Sequence, residues 1–375
     1  MKDKLFKYIK ENKIYILTFI LSVTLIGIVF FLNDVVPFGK NSLLDVDFYH
    51  QYGPMLGELY DRVTNGDNLI YSFRMGLGLP FFRNFLNYLS SPFNIIMFLF
   101  NRENLLMSFS IIIGLKVAFS SFTMIYYLSK KFNKKSFLFV PLALLYSFQA
   151  YFVAFYWNIM WLDVLVFIPL ITLGIESIVN NKSWKLYTFS LATLLFANYF
   201  MGYIVCIFSV IYFILYNLYK TSFKKDKLKE NMIIYLKKCF IFGISSLLSG
   251  CLVAFLLLPM AKSITSISAT GDEFPTSQYY DFSLLEFVSG HFTGVDSSVL
   301  SSDPSTSPNI SCGILVIFLV LMYILNSKIS LKNKLCYLLL IFIFASAFFI
   351  PSFDFIMHAF HVPNDLPYRY SFLYS

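Results

Sequence analysis

Two aspartates one residue apart, Asp45 and Asp47, precede the stretch Phe48-Tyr-His-Gln-Tyr-Gly-Pro-Met-Leu-Gly-Glu-Leu-Tyr-Asp-Arg-Val63. A carboxylate in that setting suits two jobs. It can act as general base for an acceptor hydroxyl, or it can share a divalent cation with a phosphate. Asp47 and Gln51, four residues apart, would lie on one helical face as catalytic and binding groups. Asp45 fits a binding role and equally fits a plain helix cap.

A second set of polar residues is conspicuous because its surroundings are apolar. Lys116 is the lone charge midway along residues 105–128, too far from either end to snorkel easily. Its expected partner is a lipid phosphate or a carboxylate such as Asp163. In Trp157-Asn-Ile-Met-Trp-Leu-Asp163 the two tryptophans read as an interfacial aromatic belt. Asn158 and Asp163 do not help a helix enter lipid, which marks them as binding candidates. Arg369 offers bidentate phosphate contacts or a headgroup pair. His291 reads as a solvated side chain or an acid–base group, and Glu176 as a charge near a helix end. Cysteines 206, 239, 251, 312 and 336 lack CxxC spacing, and the histidines lack ligand spacing, so no protein metal site is expected. A divalent cation shared with substrate stays open. Walker A, GxSxG and HExxH patterns are absent.

These residues need a frame, and the composition supplies it. The 375-residue chain is 58% hydrophobic, 20% aromatic and only 13% charged, against about 25% charged residues in soluble domains. That excludes soluble enzymes, nucleic-acid-binding proteins and disordered scaffolds. The expected fold is all-α: a polytopic transmembrane helical bundle. About nine spans are expected, at 14–33, 105–128, 136–155, 160–179, 185–198, 200–219, 239–258, 309–326 and 335–350. Of 29 basic residues, 21 are lysines in five clusters, at 1–13, 130–135, 182–185, 220–238 and 328–334. The positive-inside rule makes those clusters cytoplasmic, and the N-terminus with them. Parity then splits the apolar run after Leu186 by a tight turn near Asn198–Gly202. The whole of 1–375 reads as one transmembrane domain with outer loops 34–104 and 261–308. In the first loop Phe48, Tyr52, Leu56, Leu59 and Val63 form the stripe of an amphipathic helix lying at the membrane surface, bent at Gly53-Pro54. A short apolar helix follows at 93–100. Residues 370–375 read as the first turn of a tenth span, so the sequence looks cut short before further spans.

Taken in order, Asp47, Gln51-Tyr52, Phe73, Gly76-Leu-Gly78, Tyr88, Ser91-Pro92, Asn158, Trp161-Leu-Asp163, Asn198-Tyr199 and Arg369 resemble the bacterial YfhO family of membrane proteins, read as its N-terminal part. The resemblance implies a GT-C-like glycosyltransferase of the plasma membrane, with a catalytic acidic residue in its first outer loop, matched here by Asp47. It implies a sugar donor carried on polyprenyl phosphate and an acceptor such as lipoteichoic acid or another cell-wall polymer. The competing expectation is a lipid-linked-sugar flippase or other secondary transporter, which would use midplane polar residues and inverted repeats. Only Lys116 answers to the first, and no repeat is visible. A non-catalytic scaffold would not need Asp47.

Overall fold

The computed structural model describes residues 2–221, 228–264, 273–275, 282–292, 294–299, 307–363 and 365–375. Among them the chain is helical, with two isolated β-bridges and no strand. Much of the expected outer loop 261–308, namely 265–272, 276–281, 293 and 300–306, lies outside the described residues.

Each expected span coincides with helix, but the helices differ in reach. Five are long and apolar enough to cross a bilayer: Lys10–Leu32, Arg102–Lys131, Tyr199–Lys220, Leu228–Leu252 and Leu331–Phe349. The other four are shorter or broken. Residues 136–155 form α5 (Phe139–Ser147) and α6 (Ala150–Phe155) around a break at Phe148–Gln149. The next is α7 (Asp163–Val179), then α8 (Lys185–Ala197); residues 309–326 supply only α13 (Ile314–Leu325). Twelve residues rise about 18 Å, short of a hydrocarbon core about 30 Å thick.

The chain divides into two compact units. The first holds Met1–Phe148, Phe155–Pro169 and Phe196–Tyr199. Its frame is α1 (Lys2–Leu32) against α4 (Leu105–Lys131). Tyr15 packs on Phe122 and Tyr126, Phe19 on Phe119, and Gly114 opposite Ile26 and Phe30, so the two helices are antiparallel. Their lysine-bearing ends coincide: Lys135 donates to the Glu11 carbonyl at 2.6 Å, and Lys13 lies over Phe137.

The second unit holds Gln149–Ala154, Leu170–Leu195 and Phe200–Ser375. Here Gly174 of α7 abuts the Tyr187 backbone of α8. The helix α9 (Tyr199–Lys220) begins at the expected turn. A Cβ on Gly202 would lie 3.1 Å from the Leu195 Cα, whereas residues seven apart in one straight helix are about 10 Å apart. The chain therefore reverses there. Phe242 and Ser246 of α10 (Leu228–Leu252) pack on Tyr187, and Phe344 of α14 (Leu331–Phe349) on Phe208. Glu176 accepts from Tyr212 at 2.6 Å and is buried.

Candidate functional site

The first-loop aspartates stand on an irregular turn. Residues Phe48–Tyr52 form one π-helical turn leading into α2 (Gly53–Asn65). Pro54 has no N–H to continue an α ladder, and Gly53 donates to the Phe48 carbonyl five residues back. The expected bend at Gly53-Pro54 is thus a change of helical period, with both residues helical. The longer period has a consequence for Asp47. Its partner is Tyr52, five residues on, whose hydroxyl donates to Oδ2 at 3.2 Å. Gln51 is half-buried and makes no hydrogen bond to it. Val46, between the aspartates, has φ +42°, a region β-branched residues strongly avoid. That strained link turns the two carboxylates to different phenols. Asp45 is exposed and accepts from Tyr156 at 3.2 Å. Burial, with the Asp45 charge and hydrogen bond, pushes the Tyr156 hydroxyl up to about 12.

The amphipathic stripe is buried as expected at Phe48, Tyr52, Leu56 and Leu59, but Val63 is exposed. The polar side of the helix is partly enclosed as well. Glu58 and Arg62 are buried, joined at 2.7 Å, and Glu58 also accepts from Ser72 at 2.8 Å. Arg74 reaches Glu58 and Asp61, and Arg102 pairs with Asp61 at 2.8 Å. Burial alone would raise the Glu58 pKa; the Ser72 and Arg62 hydrogen bonds and the Arg62 and Arg74 charges outweigh it and hold the carboxyl below its ordinary value. This network pins the 72–79 loop, closed by paired Ser72 and Leu79 backbones, to α2.

The intramembrane lysine has found the carboxylate. Lys116 Nζ lies 2.7 Å from Asp163 Oδ2 and 2.7 Å from the Ile159 carbonyl, and over the Phe93 ring. Both charged side chains are fully enclosed. Ser91 completes the set by donating to Asp163 Oδ1 at 3.0 Å. Asn158 is enclosed beside them in sequence, and its amide N and O have no hydrogen-bond partner among the described residues. The expected aromatic belt is not one: Trp157 and Trp161 are buried, Trp161 edge-on to Phe155.

These groups are linked in space. The Tyr52 ring stacks on Tyr88 at 5.2 Å, Asn198 donates to the Asn87 carbonyl, Ser90 to the Ala197 carbonyl, and Ser91 to Asp163. Asp45, Asp47, Asn158, Asp163 and Lys116 therefore all belong to the first unit, on segments held together by phenols and hydroxyls. Sequence reasoning did not single out Tyr156 or assign roles to Ser91 and Tyr52. A cavity of about 660 Å³ opens beside the same turn, between Tyr49, Pro54, Leu106 and Phe109, with His50 and Arg102 also lining it.

Arg369 is in the second unit. Its guanidinium is part-exposed, donates to the Asp365 and Leu366 carbonyls and lies over Phe200. His291, also there, is bridged between the Phe287 carbonyl and Tyr374 rather than solvated. For a divalent cation the fit is poor: Asp45 and Asp47 diverge, and among the described residues no three His, Cys, Asp or Glu side chains converge.

A sequence model of a family described as bacterial membrane protein YfhO matches residues 18–375. No curated protein and no solved structure gives a significant match.

Proposed function

The chain belongs to the YfhO family of bacterial membrane proteins, and we propose that it is a GT-C-type glycosyltransferase. In this reading it moves a sugar from a polyprenyl-phosphate donor to an extracytoplasmic acceptor, such as a cell-wall polymer of the lipoteichoic-acid kind. The observation that supports it is Asp47. This half-buried carboxylate sits at the head of a π-turn, behind a strained Val46, and is braced by Tyr52 on Tyr88. Strained residues and π-turns concentrate at functional sites.

Tyr52 occupies one carboxylate oxygen; Oδ1, which has no partner among the described residues, takes the proton. The acceptor hydroxyl loses that proton to Asp47 as its oxygen bonds the anomeric carbon, and the polyprenyl phosphate departs with the electron pair. The apolar walls of the cavity beside the turn suit the first prenyl units; Arg102, held through Nε by Asp61 and next to Glu103 in the lining, keeps its terminal N–H groups for the phosphate. Lys116 and Asp163 neutralise one another and hold the 159–163 turn on α4; their role is positioning.

The test is transfer by the whole protein in vesicles, with polyprenyl-phosphate sugars and extracted wall polymer. Asp47→Asn keeps size and hydrogen bonding but takes no proton, and should lower transfer about 10²–10⁴-fold with donor binding retained. Asp45→Asn should cost far less. Near-normal transfer by Asp47→Asn, with Asp45→Asn inactive, would overturn the assigned base. The enclosed Lys116–Asp163 pair also favours a second reading, a lipid-linked-sugar flippase. Lys116-dependent movement of the donor across vesicles without any acceptor polymer would support it.

A further inference from the structure

At the lysine-bearing end of the second unit, a cavity of about 530 Å³ opens between α10 and the α7–α8 connection. Its walls change character along their length. Asn181, Lys182, Trp184 and Lys237 lie at one end, and Ile244 and Leu248 continue the lining along α10. No acidic residue lines it, and among the described residues neither Lys182 nor Lys237 pairs with a carboxylate. Glu176, the nearest acid along α7, is buried and held by Tyr212. From Lys237 to Leu248 the helix rises about 16 Å, roughly half of a hydrocarbon core.

We infer that this groove is a binding site for one anionic glycerophospholipid, with the headgroup phosphate at Lys182 and Lys237 and an acyl chain along Ile244 and Leu248. Three observations favour a lipid over a protein partner. The groove's length matches one leaflet. Trp184, 38% exposed, has the amphipathic ring that favours the headgroup level. The charge is of one sign and confined to one end, as in basic pockets that hold anionic headgroups. A free phosphate would use the lysines but leave the apolar length unused.

The test is retention of lipid by the whole chain during delipidation, read by native mass spectrometry after reconstitution in bilayers of equal phosphatidylglycerol and phosphatidylcholine. Phosphatidylglycerol should be retained at about one per chain and survive washing with inorganic phosphate. Each lysine is worth about fivefold in such contacts, so Lys182→Gln with Lys237→Gln should weaken retention about thirtyfold. The double Lys→Arg variant should keep it, and Leu248→Asn should weaken it with the lysines intact. Both lysines are exposed, so their replacement does not threaten the fold. Equal retention of the two lipids, displacement by inorganic phosphate, an unchanged double Gln variant, or a second copy of the chain bound in place of lipid would overturn the inference.

Discussion

Lys116 sits where a charge is hardest to keep, fully enclosed within a helix long and apolar enough to cross a membrane, and it persists because the Asp163 carboxylate and the Ile159 carbonyl both accept from it. Removing one member of a buried ion pair leaves the other uncompensated and costs about 3–5 kcal/mol, whereas replacing both with apolar groups is often neutral. Lys116→Met should therefore sharply lower the temperature at which the solubilised protein loses its monodisperse form. Lys116→Met with Asp163→Leu should restore most of it. A single variant as stable as the parent would mean that Lys116 is not held by Asp163 in the membrane. The pairing is legible in the sequence because an intramembrane cation has few available acids, and Asp163 opens a neighbouring helix. Ser91 and Tyr156 are not legible, since hydroxyls and phenols are too common in this chain for any one of them to stand out. The same contrast separates Asp47 from Asp45: the sequence marks both, but only the π-turn shows that each has its own phenol.

At the scale of elements, α2 and the 72–79 loop behave as one piece because Glu58 ties them. Its pKa is held below the ordinary value, so the folded state favours the carboxylate. The tie is thus fully present above the unfolded pKa of about 4.3 and weakens as pH falls through the lower folded value. Protease cleavage within 66–80 should be slow and flat at neutral pH and rise only below about pH 4. Glu58→Gln should raise cleavage already at pH 7, because Arg62 and Arg74 lose their counter-charge; a pH-independent cleavage rate in the parent would contradict the tie. Helix positions are read well from the sequence because apolar runs and lysine clusters delimit them. Helix lengths are not: the break at Phe148–Gln149 and the late start of α13 after Gly313, at φ +92°, leave no mark in hydropathy.

For the whole molecule, the lysine clusters carry the largest consequence. Within the first unit Lys13 and Lys135 meet at one end of the antiparallel α1 and α4. Within the second, Tyr212 of α9 reaches Glu176 near the end of α7, and Lys332 at the start of α14 donates to the Thr221 carbonyl just past α9. With the reversal at Asn198, this brings Lys182, Lys220 and Lys332 to a common end. For each unit taken by itself, the positive-inside rule predicts that these basic ends lie on the cytoplasmic side. On that predicted orientation the acidic first loop, with Asp45 and Asp47, would face outward, the side on which the proposed transfer from a lipid-linked sugar to a wall polymer requires it. In a background lacking the five native cysteines, single cysteines at Lys40 and Asp67 should react with an impermeant thiol reagent in intact cells. Cysteines at Lys134 and Lys182 should react only after the membrane is opened. The contrast should be nearly all-or-none. Labelling of Lys134 or Lys182 positions from outside, with Lys40 protected, would invert the orientation. It would place Asp47 on the side where nucleotide sugars are available and remove the reason for a lipid-borne donor.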